Sequence, residues 1–203
     1  LNVKRRIDQL KREQLMSLPV YLKKDDQEKI LSPSLVLGPG AKNDRNRLMV
    51  RLMLRTGMRV GEISRLRVED LVDLDKQVIY VRKSKGGNDR IVLADPETAK
   101  ILRQFSADRT SGPIFGIKPH AIQHIVKKMA RTAGVRNADL MTPHKLRHSF
   151  AINWVQHGGD IESLRRLLGH KSLATTQIYL NFDFDTLLGV FNRLMQTQDR
   201  RMI

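Results

Sequence analysis

The chain has 203 residues, with 37 Lys+Arg against 21 Asp+Glu and a formal charge of +16. Apolar residues make up 40 %, enough for one globular core and too many for a disordered basic tail. Cysteine is absent, which excludes disulfides, thiolate zinc sites and cysteine nucleophiles together.

Residues 5–17 read as a charged helix ended by Pro19. Asp25 or Asp26 is expected to cap a short helix through Ile30 and Leu31. Two loop signals follow, Ser32-Pro33-Ser34 and Gly38-Pro39-Gly40. The spacing of Leu48, Met49, Leu52 and Met53 predicts a helix over 44–56, stopped by Gly57, and a shorter one over 60–66. The period then changes. Runs 77–82 and 90–93 are β-rich, and the turn formers of 83–89 join them as a hairpin, with Tyr80 packed in its strand. Asp95-Pro96-Glu97 opens a helix to about residue 107. Further helices are expected over 119–132, 143–157, 160–168, 172–180 and 184–196, punctuated by Gly134, Gly158 and Gly169. The expected fold class is mainly α with a small antiparallel β-sheet.

The charge is concentrated. Residues 41–68 hold eight Lys+Arg against Asp44 and Glu62, and residues 118–148 hold seven against Asp139. Residues 180–203 are balanced, three Arg against three Asp. The two basic stretches point to a polyanion, with nucleic acid ahead of an anionic membrane surface; the balanced tail points to protein contacts. An aromatic content of 5 % argues against single-strand binding by base stacking. No apolar run reaches the length of a membrane span, and no signal peptide opens the chain. The first residue is Leu1, so the chain is expected to be a piece of a longer protein.

His144 and Arg147 share one face of the first turn of a helix opened by Pro143, a natural phosphate site. The spacing alone is uninformative in a chain this rich in arginine. His120/His124 and His144/His148 have i, i+4 spacing, but lysine and arginine flank both pairs and no carboxylate assists, so neither is read as a metal site. No phosphate loop supports use of ATP, and no acidic cluster suggests Mg²⁺. Phosphodiester chemistry here would therefore rely on Arg, Lys and His for charge, and on a protein nucleophile to conserve bond energy. Tyrosine suits that task, and the chain has three: Tyr21, Tyr80 and Tyr179. Taken alone, a helical Tyr179 is more often core or interface than nucleophile.

The motifs, taken in order, carry a resemblance. Thr56-Gly57-Met58-Arg59-Val60-Gly61-Glu62-Ile63 is followed by a hairpin lysine. Then come His144-Lys145-Leu146-Arg147-His148-Ser149-Phe150-Ala151, Leu167-Leu168-Gly169-His170 and Tyr179. From about Tyr21 to Phe191 the chain resembles the catalytic domain of tyrosine recombinases of the phage integrase and Xer class. The resemblance implies a division into a linker segment (1–20), a catalytic domain (21–182) and a helical tail (183–203) that docks on its own domain or a neighbouring protomer. It implies that Arg59 and Arg147 clamp the scissile phosphate, Glu62 supports Arg59, and Tyr179 is the nucleophile. Lys85, preferred to Lys83 because Gly86 and Arg90 then fit the family pattern, would be the general acid. His144 would act as acid/base and His170 would bond a phosphate oxygen; His148 would be structural.

The implied function is cleavage and rejoining of double-stranded DNA through a 3′-phosphotyrosine intermediate, without metal or other cofactor. A type IB topoisomerase-like nicking-closing enzyme and a non-catalytic DNA-binding protein of the same fold are the alternatives. Self-association as a tetramer on DNA, no membrane partner and a cytoplasmic, DNA-associated location are also implied. Relatives commonly carry an N-terminal domain that grips the opposite face of DNA, and residues 1–40 are too few for one.

Overall fold

The computed structural model describes residues 20–37, 42–82 and 89–180, together with Arg5 and Arg6, which are helical. The helices expected over 5–17 (those two residues apart) and 184–196 lie outside the described residues, as does the hairpin turn 83–88.

The first described helix after that, α1 (Lys24–Leu31), departs from expectation at its start. Its N-cap is Lys23, which makes no side-chain cap bond. Asp25 and Asp26 lie inside the first turn, where their charge faces the positive helix end instead of capping it.

The centre of the molecule is α2 (Lys42–Thr56), in which Leu48, Met49, Val50, Leu52, Met53 and Leu54 are all buried. From Leu48 to Leu54 every residue but Arg51 is buried, so this stretch must be covered on several sides. The helix packs against α1, α3 (Val60–Arg65), α4 (Pro96–Ser106), α5 (Pro119–Thr132) and α6 (Pro143–Gln156). Helices α4, α5 and α6 each open on proline, whose missing N–H costs nothing there. Asp95 and Thr142 cap α4 and α6 by accepting the N–H groups of Thr98 and Lys145.

The hairpin pairs β1 (Val78–Val81) with β2 (Arg90–Leu93) antiparallel, Tyr80 opposite Ile91 and Val81 opposite Arg90. Ile79, Val81 and Val92 enter the core, while Ile91 and Leu93 face outward. Tyr80 is half-buried, its hydroxyl donating to the Asp89 carboxylate at 2.5 Å.

After α6 the chain builds a second, smaller core. Helix α7 (Ile161–Leu168) is capped by Asp160 and ends at Gly169, which has φ +64°. The helix expected over 172–180 is instead one α-turn, α8 (Ala174–Gln177), tightening into a 3₁₀ turn (Ile178–Leu180). Thr176 and Tyr179 are the buried residues of this segment, and a 3₁₀ turn aligns positions three apart. Tyr179 thereby joins Ala151, Ile152, Val155, Leu164 and Leu168. Among the described residues no helix is long and apolar enough to cross a membrane.

Candidate active site

Arg59 is the N-cap of α3. Its backbone N–H donates to Glu62 Oε2 at 2.7 Å, and its Nη1 to Glu62 Oε1 at 3.2 Å. The reach of the Glu62 carboxylate back to the N-cap N–H explains why Glu62 stands three residues after Arg59. Glu62 is buried, and burial alone would raise its pKa. Arg90, by a two-pronged grip with Nη1 on Oε1 at 2.6 Å and Nη2 on Oε2 at 2.8 Å, and Arg59 together outweigh that, so the pKa is lowered and the carboxylate stays charged.

Arg147 lies on the inner face of α6, donating to the Gly57 carbonyl at 2.7 Å and the Leu168 carbonyl at 2.6 Å. Burial, reinforced by the positive charge of Arg59, pushes its pKa down to about 9, which leaves it protonated at neutral pH. Gly57 has φ +66°, and a Cβ there would stand 2.5 Å from the Phe150 ring and 2.8 Å from Leu168. Only glycine lets α2 turn so tightly while presenting its carbonyl to Arg147.

Four consecutive carbonyls at the end of α7 accept from four different arginines. Leu167 takes Arg90 Nε (2.8 Å), Leu168 takes Arg147, Gly169 takes Arg59 Nη2 (3.2 Å) and His170 takes Arg165 Nη1 (2.9 Å). A helix C-terminus leaves its last carbonyls without intrahelical donors and is electronegative, so guanidinium groups satisfy it twice over. Arg59, Arg147 and His170, distant in sequence, are thus fixed to one short piece of backbone.

Thr176 Oγ1 lies 2.9 Å from His170 Nδ1. Burial, then the charges of Arg147 and Arg59, push the His170 pKa down to about 4, so the ring is neutral near pH 7. His144, exposed at the second position of α6, is shifted down by burial and then by Arg147, Lys145 and Arg59. Its ring meets His148 edge-on at 4.1 Å between centroids. His148 Nδ1 is 2.7 Å from the Tyr179 hydroxyl; burial and neighbouring positive groups lower its pKa to about 4. Tyr179 is 3 % exposed, and burial raises the pKa of its phenol.

Arg59, Glu62, His144, Arg147, His170 and Tyr179 therefore come together. Lys85 and Lys83 fall outside the described residues. Two contacts lie beyond what the sequence alone offers. His148, expected to be structural, bonds the tyrosine hydroxyl. Arg90 served only to choose between lysines, yet it holds Glu62. His120 and His124 sit on the exposed face of α5, away from any such cluster, and no group of three or more His, Asp and Glu gathers among the described residues.

The phage integrase family model matches residues 21–185, most of the chain. The chain belongs to this family. Within the phage integrase family it is 36 % identical over 174 residues to the tyrosine recombinase XerA of Thermococcus kodakarensis, covering 80 % of this chain and 58 % of that protein. The chain thus spans a little over half the length of the curated relatives it matches. A crystal structure of XerA recombinase superposes with TM-score 0.72 at 32 % identity, over 90 % of this chain and 66 % of the other. XerH site-specific recombinase, bound to its difH substrate before cleavage, superposes with TM-score 0.69 at 28 % identity over 84 % and 53 %.

Proposed function

We propose that this chain is the catalytic part of a site-specific recombinase that cuts and rejoins double-stranded DNA through a 3′-phosphotyrosine at Tyr179. The observation that supports the reading most is the convergence of two arginines and a histidine on residues 167–170 beside a buried tyrosine–histidine pair.

In this reading DNA lays its scissile phosphate against Arg59 and Arg147, which hold both non-bridging oxygens and match the charge that grows in the transition state. In the tautomer whose Nδ1 accepts from the nearby Thr176 hydroxyl, Nε2 carries the proton and donates to the same phosphate. The Tyr179 oxygen attacks phosphorus and its proton passes to a neighbouring base, for which His148 and His144 are placed. At 3 % exposure the hydroxyl must first be brought out of the small core. The bond from phosphorus to the 5′ oxygen breaks, and Lys85 supplies that oxygen's proton. A 5′ hydroxyl from another strand then attacks the phosphotyrosine, breaks its P–O bond and restores the phenol. Phosphodiester energy is kept in the tyrosine ester throughout. The remaining basic surface holds the duplex with a strongly salt-dependent affinity.

The reading extends to the segments. Residues 21–182 form the catalytic domain, 1–20 a linker, and 183–203 a tail that contacts protein, consistent with a tetramer on DNA. The location is cytoplasmic and DNA-associated.

The test uses 5′-labelled nicked duplexes with randomised arms. Cleavage just upstream of the nick releases a short 5′-hydroxyl fragment that diffuses away and traps the covalent adduct. The expected result is an adduct stable to denaturing electrophoresis with wild type and none with Tyr179→Phe. No adduct with wild type, or an adduct that persists in Tyr179→Phe, refutes the assignment. Supercoil relaxation by monomer without strand exchange would mark a topoisomerase instead.

A further inference from the structure

Arg90 occupies an unusual place. Its side chain is 9 % exposed, against 41 % for Arg59, so it sits behind the surface that meets the phosphate. Its three guanidinium nitrogens are all engaged, two on Glu62 and Nε on the Leu167 carbonyl. Gly169 makes room for it, since a Cβ there would stand 2.9 Å from Arg90 Cδ. Arg90 also opens β2, directly after the segment 83–89 that carries Lys85.

We infer that Arg90 is a positioning residue for DNA cleavage: by occupying both oxygens of Glu62 it keeps Arg59 from folding back onto that carboxylate, and so holds the Arg59 guanidinium toward the scissile phosphate. The inference rests on the function proposed above.

A buried carboxylate with two oxygens takes a bidentate arginine wherever one is available. Arg90 provides that fork at 2.6 and 2.8 Å, and Arg59 is left with a single, longer contact of 3.2 Å through one nitrogen. Its second contact, to the Gly169 carbonyl, is also 3.2 Å. Both are long for charge-assisted bonds, as expected of a group held in place with donors to spare. Without Arg90 the Arg59 fork turns onto Glu62, its carboxylate partner among the described residues, and away from DNA. The same side chain ties β2 to the end of α7, so the hairpin and the carbonyl row that anchors Arg147 move as one unit.

The experiment compares wild type, Arg90→Met, Arg90→Lys and Arg59→Ala on the nicked-duplex adduct assay. It uses a sequence recovered from the randomised pool, in two forms. One carries the normal scissile phosphate, the other a methylphosphonate, in which an uncharged methyl replaces one non-bridging oxygen. On the normal phosphate Arg90→Met is expected to slow adduct formation by about 10- to 100-fold, the scale of one charge-assisted hydrogen bond. Non-covalent affinity for the duplex stays within about threefold, because most phosphate contacts lie elsewhere. On the methylphosphonate most of the penalty disappears for Arg90→Met and Arg59→Ala alike, since less charge needs a clamp. A merely structural role would slow both substrates equally. Arg90→Lys is expected to recover only part of the rate, since an ammonium lacks the fork. If Arg90→Met matches wild type, if its penalty is equal on both substrates, or if Arg90→Lys is fully active, the inference is overturned while the recombinase reading stands. Absence of an adduct with wild type overturns both. Should Arg90→Met unfold, which a melting curve reveals, Arg90→Lys carries the same comparison.

Discussion

Adding one methyl group at Gly57 tests how the Arg147 anchor is built. A residue with a Cβ pays about 1–2 kcal/mol to adopt the left-handed conformation that Gly57 holds at φ +66°. The new methyl would also stand 2.5 Å from Phe150 and 2.8 Å from Leu168, the latter fully buried, and overpacking of this kind costs about 1–3 kcal/mol. Gly57→Ala should therefore destabilise by about 2–5 kcal/mol, partly relieved by the lower entropy of the unfolded alanine chain. Gly134→Ala is the control. It has nearly the same φ, +63°, but nothing lies within 4 Å of its Cβ, so only the conformational cost applies. Urea unfolding of the two variants removes the shared backbone and entropy contributions and leaves the packing cost, about 1–3 kcal/mol. Adduct formation should fall further in Gly57→Ala, because the displaced carbonyl is the one that accepts from Arg147. If the two variants unfold within about 0.5 kcal/mol of each other at equal m-value, the proposed steric confinement of Gly57 is wrong.

Two further outcomes follow from the histidines. His148 and His170 both sit near pKa 4 in the folded chain, below the ordinary 6.5, so they bind protons more weakly folded than unfolded. Their contribution to stability is complete above about pH 6.5 and is lost as the pH falls toward 4; a melting temperature that does not drop between about pH 7 and 5.5, above most of the carboxylate range, would contradict this. Thr176→Val removes the hydroxyl bonded to His170 Nδ1 and with it a group that holds the ring in place. Adduct formation should slow by about two- to tenfold with little change in melting temperature, and an unchanged single-turnover rate would show that Thr176 does not orient the ring.

The elements with strong local signals were legible. Helix α5 spans the 119–132 that its proline start and apolar spacing indicate, because both act within the helix itself. The start of α1 was not, since Asp25 and Asp26 offer equal capping side chains while the observed cap, Lys23, lies two residues before the first of them and uses no side chain. Arg59, His144, Arg147 and His170 could be named because their chemistry and order recur in a family. Arg90 and His148 could not be given their contacts, because Glu62 lies 28 residues from Arg90 and Tyr179 lies 31 from His148. A local window contains neither partner. Tyr179 is packed in a core, as a helical tyrosine usually is, and its hydroxyl also touches His148.

The row of carbonyls from Leu167 to His170 makes α7 a register-sensitive element. Inserting or deleting a single residue within the helix rotates everything after it by about 100° and shifts it by about 1.5 Å along the axis. Arg90, Arg147 and Arg59, which reach in from other elements, would then lose their acceptors at once. Side-chain changes on the outer face of α7 are open to drift, whereas its length is not. Homologues that keep this site should therefore accept insertions in the loops before Asp160 and after His170, and none between them.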